Sequence, residues 1–424
     1  MLYFSEGTSS GILSADAARK GLYAALQAIG KRSRVLALPP DFTRYHSKAG
    51  ELTEWVWQYY GNALTDIMPA TGTHVAMTAE EISRMFGQTP PGLFRVHDWR
   101  NEIETLGMVP ADFIHEVSEA KLDYSWPAQV NRLLVQGQHD LIISIGQVVP
   151  HEVVGMANYN KNIFVGTGGK EGINKSHYIG AVYGMERMMG RADTPVRRVL
   201  NYASTHFTAG LPIVYVLSVV GREADGSLAL KGLFVGDDEE CFLRASELSL
   251  KVNFTMVEEP LKKVVVYLDP EEFKSTWVGN KAIYRTRMAI ADGGELLILA
   301  PGVRHFGEDP QIDKLIRAYG YVGTPKILEL TNGEPRLQEN LGAAAHLIHG
   351  SSEDRFTVTY CPGGLSRDEI EKANFRYEDY GKMAKRYDVA QMRDGYQRTA
   401  DGEDFFYVSN PAVGLWAHRD RFGS

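Results

Sequence analysis

Residues 141–180 read LIISIGQVVPHEVVGMANYNKNIFVGTGGKEGINKSHYIG, and this stretch decides how the rest of the chain is read. It opens with Leu141-Ile142-Ile143-Ser144-Ile145, a short apolar run that predicts a buried strand. Beyond the run come His151, Lys161 and His177, separated by Gly155, Gly166, Gly168, Gly169 and Gly172. Glycine lets backbone approach a ligand closely. The segment Gly166-Thr167-Gly168-Gly169-Lys170 is not a Walker loop, because Glu171 stands where Ser or Thr is required. It also lacks the GxGxxG spacing of a dinucleotide fold. Taken alone, it reads equally as a phosphate cradle and as ordinary turn glycine.

Upstream, residues 34–38 predict a strand that Pro39 and Pro40 stop, and Asp41-Phe42-Thr43-Arg44 follow at its C-terminal end. In open α/β sheets that edge is where ligands bind. Residues 51–64 have helical apolar spacing, and residues 67–70 form a short strand leading into Thr71-Gly72-Thr73-His74. Thr78 and Glu81 make a capping box for a helix closed by Gly87, which leaves His74 on a loop. Residues 130–135 and 181–189 read as helices, 212–220 and 228–235 as strands, and 239–256 as a long helix. Pro260 marks a boundary, after which strands at 263–268, 295–300 and 356–360 alternate with helices at 282–290, 313–318 and 340–348. Such alternation predicts an α/β protein. The expectation is two α/β domains with mainly parallel sheets and an active-site cleft between them. Their expected bounds are 1–259, joined by the tail 405–424, and 260–404.

Composition narrows the function classes. A chain of 424 residues exceeds one ordinary core, and 44% apolar with 23% charged residues is the balance of a soluble globular protein. A net charge of -8 without any Lys/Arg-rich run argues against nucleic-acid binding. Two distant cysteines, Cys241 and Cys361, argue against a disulfide framework. The N-terminus has no signal-like pattern, and no apolar run reaches membrane-spanning length. A reducing cytoplasm and no membrane partner are the expectation.

The intervals from His151 to Lys161 and from Lys161 to His177 are those of the nickel-pincer-nucleotide-dependent lactate racemase family, which the chain resembles. Asp41-Phe42-Thr43-Arg44 resembles the family's Asp-x-Thr-Arg, and Thr71-Gly72-Thr73-His74 its Thr-Gly-x-His. Lys281 precedes the Gly293-Gly294 pair much as the family's substrate lysine precedes a glycine pair. The resemblance implies an isomerase, a racemase or epimerase of 2-hydroxy acids. His74 and His151 are then the acid/base pair on opposite faces of C2, a task suited to groups that titrate near neutrality. Lys161 tethers the cofactor, a pyridinium-3,5-bisthiocarboxylic acid mononucleotide carrying nickel, and His177 is the protein's ligand to the metal. Imidazole and soft sulfur in a planar field suit nickel. Asp41, Phe42, Thr43 and Arg44 bind the nucleotide, and cofactor-maturation enzymes are implied partners. A lone histidine or lysine is more often a capping or solvated side chain, but that does not explain the shared intervals.

The chain departs from lactate racemases at Glu152–Asn160, where Asn158, Tyr159 and Asn160 replace a more aromatic, glycine-rich stretch. Before Lys281, a Tyr-Gln pair becomes Trp277-Val278, with Asn280 offered in place of the glutamine, and an expected tryptophan falls near Leu337. Lys281, Asn280 and Trp277 are the expected substrate contacts. The added polar groups point to a polyhydroxylated substrate, an aldonate such as gluconate or mannonate, over lactate. Competing classes are a short-chain 2-hydroxyacid racemase, a pyridoxal-phosphate racemase using Lys161, a metal-dependent hydrolase using His74, His151 and His177, and a non-enzymatic ligand-binding protein.

Overall fold

The computed structural model describes residues 1–223 and 225–422, and the chain divides into two compact units. The first comprises Met1–Tyr183 and Met188–Asn253. Its six-stranded sheet runs, in spatial order, Leu2–Gly7, Leu228–Gly236, Ile213–Arg222, Leu141–Gln147, Val35–Leu38 and Leu64–Ile67. The last four are mutually parallel, and the first three form an antiparallel flank. Leu141–Gln147 lies inside the sheet with all seven residues buried. That is why it reads as a continuous apolar run and not as an alternating one. Ser14 caps the helix Ala15–Ile29, which lays Ala18, Leu22, Ala25, Leu26 and Ile29 onto the sheet; Ala49–Tyr60 adds Leu52, Trp55 and Val56 to the same core.

Strand order places the site. The chain runs outward from Val35–Leu38 to Leu64–Ile67, then returns to the opposite side of Val35–Leu38 with Leu141–Gln147. The order reverses between these two neighbours, so their C-terminal ends open a crevice of the kind in which α/β sheets bind ligands. Asp41 follows one strand closely and His151 the other.

The second unit comprises Gly184–Arg187 and the chain from Phe254 on. Its sheet runs Arg376–Tyr377, Thr357–Pro362, Ile290–Ala300, Leu261–Tyr267, Asp404–Val408 and Gly395–Arg398, parallel except at the last pair. The mainly parallel α/β class is as expected. Among the described residues no helix is long and apolar enough to cross a membrane.

The tail is a correction. Expected with the first domain, residues 404–408 instead pair with Leu261–Tyr267, and Leu415–His418 pairs with Phe254–Val257. Phe405, Phe406, Tyr407 and Val408 are buried, and an apolar run of that kind suits a strand with neighbours on both sides. The boundary falls at Asn253 where 259 was expected. Gly184–Arg187 crosses to the second unit because Glu186 accepts from Arg287 Nε at 3.0 Å and Arg355 Nη2 at 2.9 Å. Local readings shift as well. Residues 126–131 are a strand, paired with Ile103–Val109, before the short helix Arg132–Gln136. The expected helix 181–189 is the end of Lys170–Tyr183, a break at Gly184 and one turn.

Candidate functional site

Asp41 ends the run after Val35–Leu38 and caps the 3-10 turn Phe42–Ser47. Its Oδ1 accepts from Thr43 N at 3.1 Å and Thr43 Oγ1 at 2.5 Å, and its Oδ2 meets His74 Nδ1 at 2.6 Å. Burial alone would raise this carboxyl's pKa. The facing His74 and the hydrogen bonds from His74 and Thr43 outweigh it, so the pKa lies below the ordinary carboxylate value. An ionised Asp41 only accepts, which puts the hydrogen on His74 Nδ1. Phe42 does not join Asp41 and Thr43. Its ring, partly buried, packs on the first core and lies 5.1 Å from the Tyr45 ring. Arg44 stands in a non-helical kink of the same turn.

His74 sits on the loop after Leu64–Ile67. Gly72, at φ 58°, gives the turn its left-handed corner, and Gly72 N donates to Gly166 O at 2.8 Å. The His74 side chain keeps about a third of its surface in solvent, 35%. His151, in contrast, is 6% exposed and lies in the small hairpin Pro150–His151 with Gly155–Met156. Its Nδ1 accepts from Val153 N at 3.1 Å, so the neutral ring carries its hydrogen on Nε2.

The backbone enters Lys161 through two consecutive left-handed residues without glycine, Asn158 at φ 65° and Tyr159 at φ 58°. It leaves through the π-helical turn Asn162–Gly166, a rare geometry that is frequent at functional sites. Asn162 Nδ2 donates to Leu38 O at 2.9 Å and Ser144 Oγ at 3.0 Å, bridging the two strands of the crevice. Asn160 Nδ2 donates to Asn201 Oδ1 at 2.7 Å and Ser204 Oγ at 3.1 Å. The lysine between them is partly accessible. Burial first, then the charges of Arg44 and Arg197, lower its amine to about 8 against the pull of Glu152 and Asp41. The segment expected to add polar groups for a substrate is corrected here: Asn160 is spent on protein partners, and the Tyr159 ring stacks 5.2 Å from Phe242.

His177 lies on the helix Lys170–Tyr183 and donates Nδ1–H to Ile173 O at 2.7 Å. Burial first, then the positive charges of Lys161 and His74, take its pKa down to about 4 despite the Ile173 bond and Glu152. The ring is neutral at pH 7, with its lone pair on Nε2. A metal-ligating histidine has this arrangement, one nitrogen tied to a carbonyl and the other free to bind. His177 feels the charges of Lys161, Glu152 and His74, and Lys161 those of Arg44, Glu152 and Asp41, so Asp41, Arg44, His74, Lys161 and His177 share one electrostatic neighbourhood. His97, unread in the sequence, anchors the glycine loop. Asn131 Nδ2 donates to its Nδ1 at 3.1 Å, and its Nε2–H donates to Gly168 O at 3.1 Å. Among the described residues no group of three or more His, Cys, Asp or Glu is placed to hold a metal.

In the second unit, Lys281 begins the helix Lys281–Thr286 and is 9% exposed, its Nζ 5.8 Å from the Phe273 ring. Trp277, four residues earlier, is partly exposed and stacks on His346 at 4.4 Å. Asn280 is a correction. It is fully buried, which leaves no exposed edge for a substrate; its Oδ1 accepts from Tyr360 at 2.9 Å and its Nδ2 has no acceptor among the described residues. Leu337 is likewise wholly buried.

Residues 23–189 match the family model described as the lactate racemase N-terminal domain. The chain is lactate racemase-like in this domain and in its fold. A crystal structure of a protein from Thermotoga maritima is 25% identical, with a TM-score of 0.81 over 96% of this chain and 100% of that one. The lactate racemase apoprotein from Thermoanaerobacterium thermosaccharolyticum is 16% identical, with a TM-score of 0.68 over 93% of this chain and 89% of that one. No curated protein matches the sequence. The lactate racemase-like domain and fold suggest a 2-hydroxyacid racemase, an isomerase.

Proposed function

We propose that the protein inverts C2 of a 2-hydroxy acid using a nickel-pincer nucleotide tethered to Lys161, with His177 as the protein's ligand to nickel. The observation that carries this reading is the state of His177: neutral, its Nδ1–H fixed on Ile173 O, its Nε2 lone pair unspent, and within electrostatic reach of a partly dry Lys161. When bound, the cofactor supplies the hydride acceptor and donor; the chain supplies position and protons. Asp41, Thr43 and Arg44 hold the nucleotide end, where a guanidinium suits phosphate.

The acid/base pair rests in complementary states. His74 carries its hydrogen on Nδ1 toward Asp41, which leaves Nε2 to take the substrate's hydroxyl proton. His151, whose Nδ1 accepts from Val153 N, presents Nε2–H as a hydrogen-bond donor; it gives that proton up only as the imidazolium, formed when Nδ1 takes a proton and releases the Val153 N–H. Asp41 stabilises the imidazolium that His74 becomes. Inversion in the other direction exchanges the two roles.

For the substrate, Lys281 anchors the carboxylate and the Trp277 face receives the carbon chain. Sugar acids such as gluconate and mannonate are proposed first, on the departure of Trp277-Val278 from the Tyr-Gln pair of the lactate racemases. The asparagines before Lys161 give this choice no support. A short-chain 2-hydroxyacid racemase is the second reading. Intact-mass measurement and nickel analysis after co-expression with the maturation enzymes test the cofactor: an added mass mapped to Lys161 and absent from Lys161→Ala is expected. A panel of 2-hydroxy acids then tests the substrate. Turnover of lactate without any aldonate overturns the sugar-acid assignment.

A further inference from the structure

The side chain most heavily engaged with the Lys161 segment is not in any of the sequence motifs. Arg197 lies in the first turn of the helix Pro195–Phe207 and is 1% exposed. Thr194 caps this helix by accepting from Arg197 N at 3.1 Å, and its hydroxyl donates to Val154 O at 3.2 Å, which ties the helix start to the His151 hairpin. The guanidinium then reaches back over the chain. Nη2 donates to Met156 O at 2.7 Å and to Asn158 O at 3.3 Å; Nη1 donates to Asn158 O at 3.3 Å and to Asn160 Oδ1. Its carbon end lies 4.2 Å from the Phe242 ring centre and 5.7 Å from that of Tyr159.

Two features set this apart from ordinary structural arginine. None of its described hydrogen bonds goes to a carboxylate, and its Nε–H has no acceptor. A buried guanidinium bound only to neutral oxygens is costly to desolvate, and burial lowers its pKa to about 10. Its acceptors also flank the left-handed pair Asn158-Tyr159, a conformation that persists only where its surroundings over-determine it. The carboxamide of Asn160, fixed by Arg197 on its oxygen and by Asn201 and Ser204 on its nitrogen, then fixes the residue adjoining Lys161.

We infer that Arg197 is the positioning residue for Lys161: its fork holds carbonyls 156 and 158 and the Asn160 carboxamide, and so sets the strained turn that presents the lysine. The inference rests on the proposed tether, and the experiment separates the two. Wild type, Arg197→Lys and Arg197→Met are each co-expressed with the maturation enzymes, and the fraction of chains carrying added mass on Lys161 is measured. Hydrogen exchange of peptides covering 156–162 is followed alongside. Loss of the tethered fraction by tenfold or more in Arg197→Met is expected, with partial rescue in Arg197→Lys, which keeps the charge without the fork. Exchange over 156–162 speeds up at least tenfold in Arg197→Met, while peptides from Leu228–Gly236 stay unchanged. Full tethering and unchanged exchange in Arg197→Met overturn the inference. Should that variant unfold, Arg197→Lys decides: wild-type tethering and exchange there would show that the fork is not required. Absence of added mass in the wild type sinks the tether and leaves the exchange result to judge Arg197.

Discussion

The Lys161 segment and the His74 loop both rise from the C-terminal edge of the first sheet, yet they are built to opposite specifications. Lys161 is bracketed by Asn160 and Asn162, whose carboxamides are each bound to groups far away in sequence, and the turn before it is clamped by a buried arginine. His74 is held by one carboxylate, with a backbone bond from Gly72 tying its loop to Gly166, and a third of its side chain is in solvent. The difference suits the roles proposed. A tethering residue gains from having one conformation, whereas an acid/base group must admit substrate and change protonation state.

The largest expected effect tests whether the loosely held side is chemical. His74→Ala and His151→Ala should each lower turnover of the loaded enzyme by about 10²–10⁴-fold. Asp41→Asn should lower kcat by a comparable factor, because the His74 imidazolium loses its counter-charge. A measured kcat within threefold of wild type for all three would remove the acid/base pair from the mechanism.

Acid then separates the two sides through stability. His97, which anchors the loop following Lys161, is held at about 4 by burial, against an ordinary value near 6.5. The unfolded chain binds a proton there first, so stability is complete above pH 6.5 and falls as pH drops from 6.5 toward 4. The contribution is at most about 3 kcal/mol. In His97→Gln, denaturant midpoints measured across that window should flatten relative to wild type; an unchanged slope contradicts the assignment.

Smaller effects sharpen the contrast. Asn162→Ala leaves Leu38 O and Ser144 Oγ without their donor and should cost about 1–3 kcal/mol in equilibrium unfolding. Thr73→Ala, on the open loop, should stay within about 0.5 kcal/mol. Equal losses at the two positions would mean that the segments are equally constrained.

How much of this was legible in the sequence follows from where the bonds go. His151, Lys161 and His177 lie on one short stretch, so the intervals that single them out are local, and the Thr78–Glu81 capping box is local chemistry that the structure reproduces. Arg197 was not readable. Its neighbour Arg198 pairs with Asp193 at the surface while Arg197 is buried, and nothing in Val196-Arg197-Arg198 says which of the two the helix turns inward. The Asn158–Asn160 segment was misassigned for the same reason, since polar side chains look equally available until the partners waiting at Asn201, Ser204 and Arg197 are placed. The strand at Leu2–Gly7 carries little signal of its own, because half of it is exposed and its pairing partner, Leu228–Gly236, comes more than two hundred positions later.

One consequence concerns fragments. Because Gly184–Arg187 is claimed by the second unit through Glu186, the chain passes from one unit to the other three times, at 183, 187 and 253. A gene cut at Asn253 therefore releases no self-contained product: its protein would strand the Glu186 carboxylate without Arg287 or Arg355, immediately after the helix that bears His177. Circular permutation or co-expression of halves, which keeps Glu186 together with both arginines, is a sounder route to dissecting this molecule than truncation.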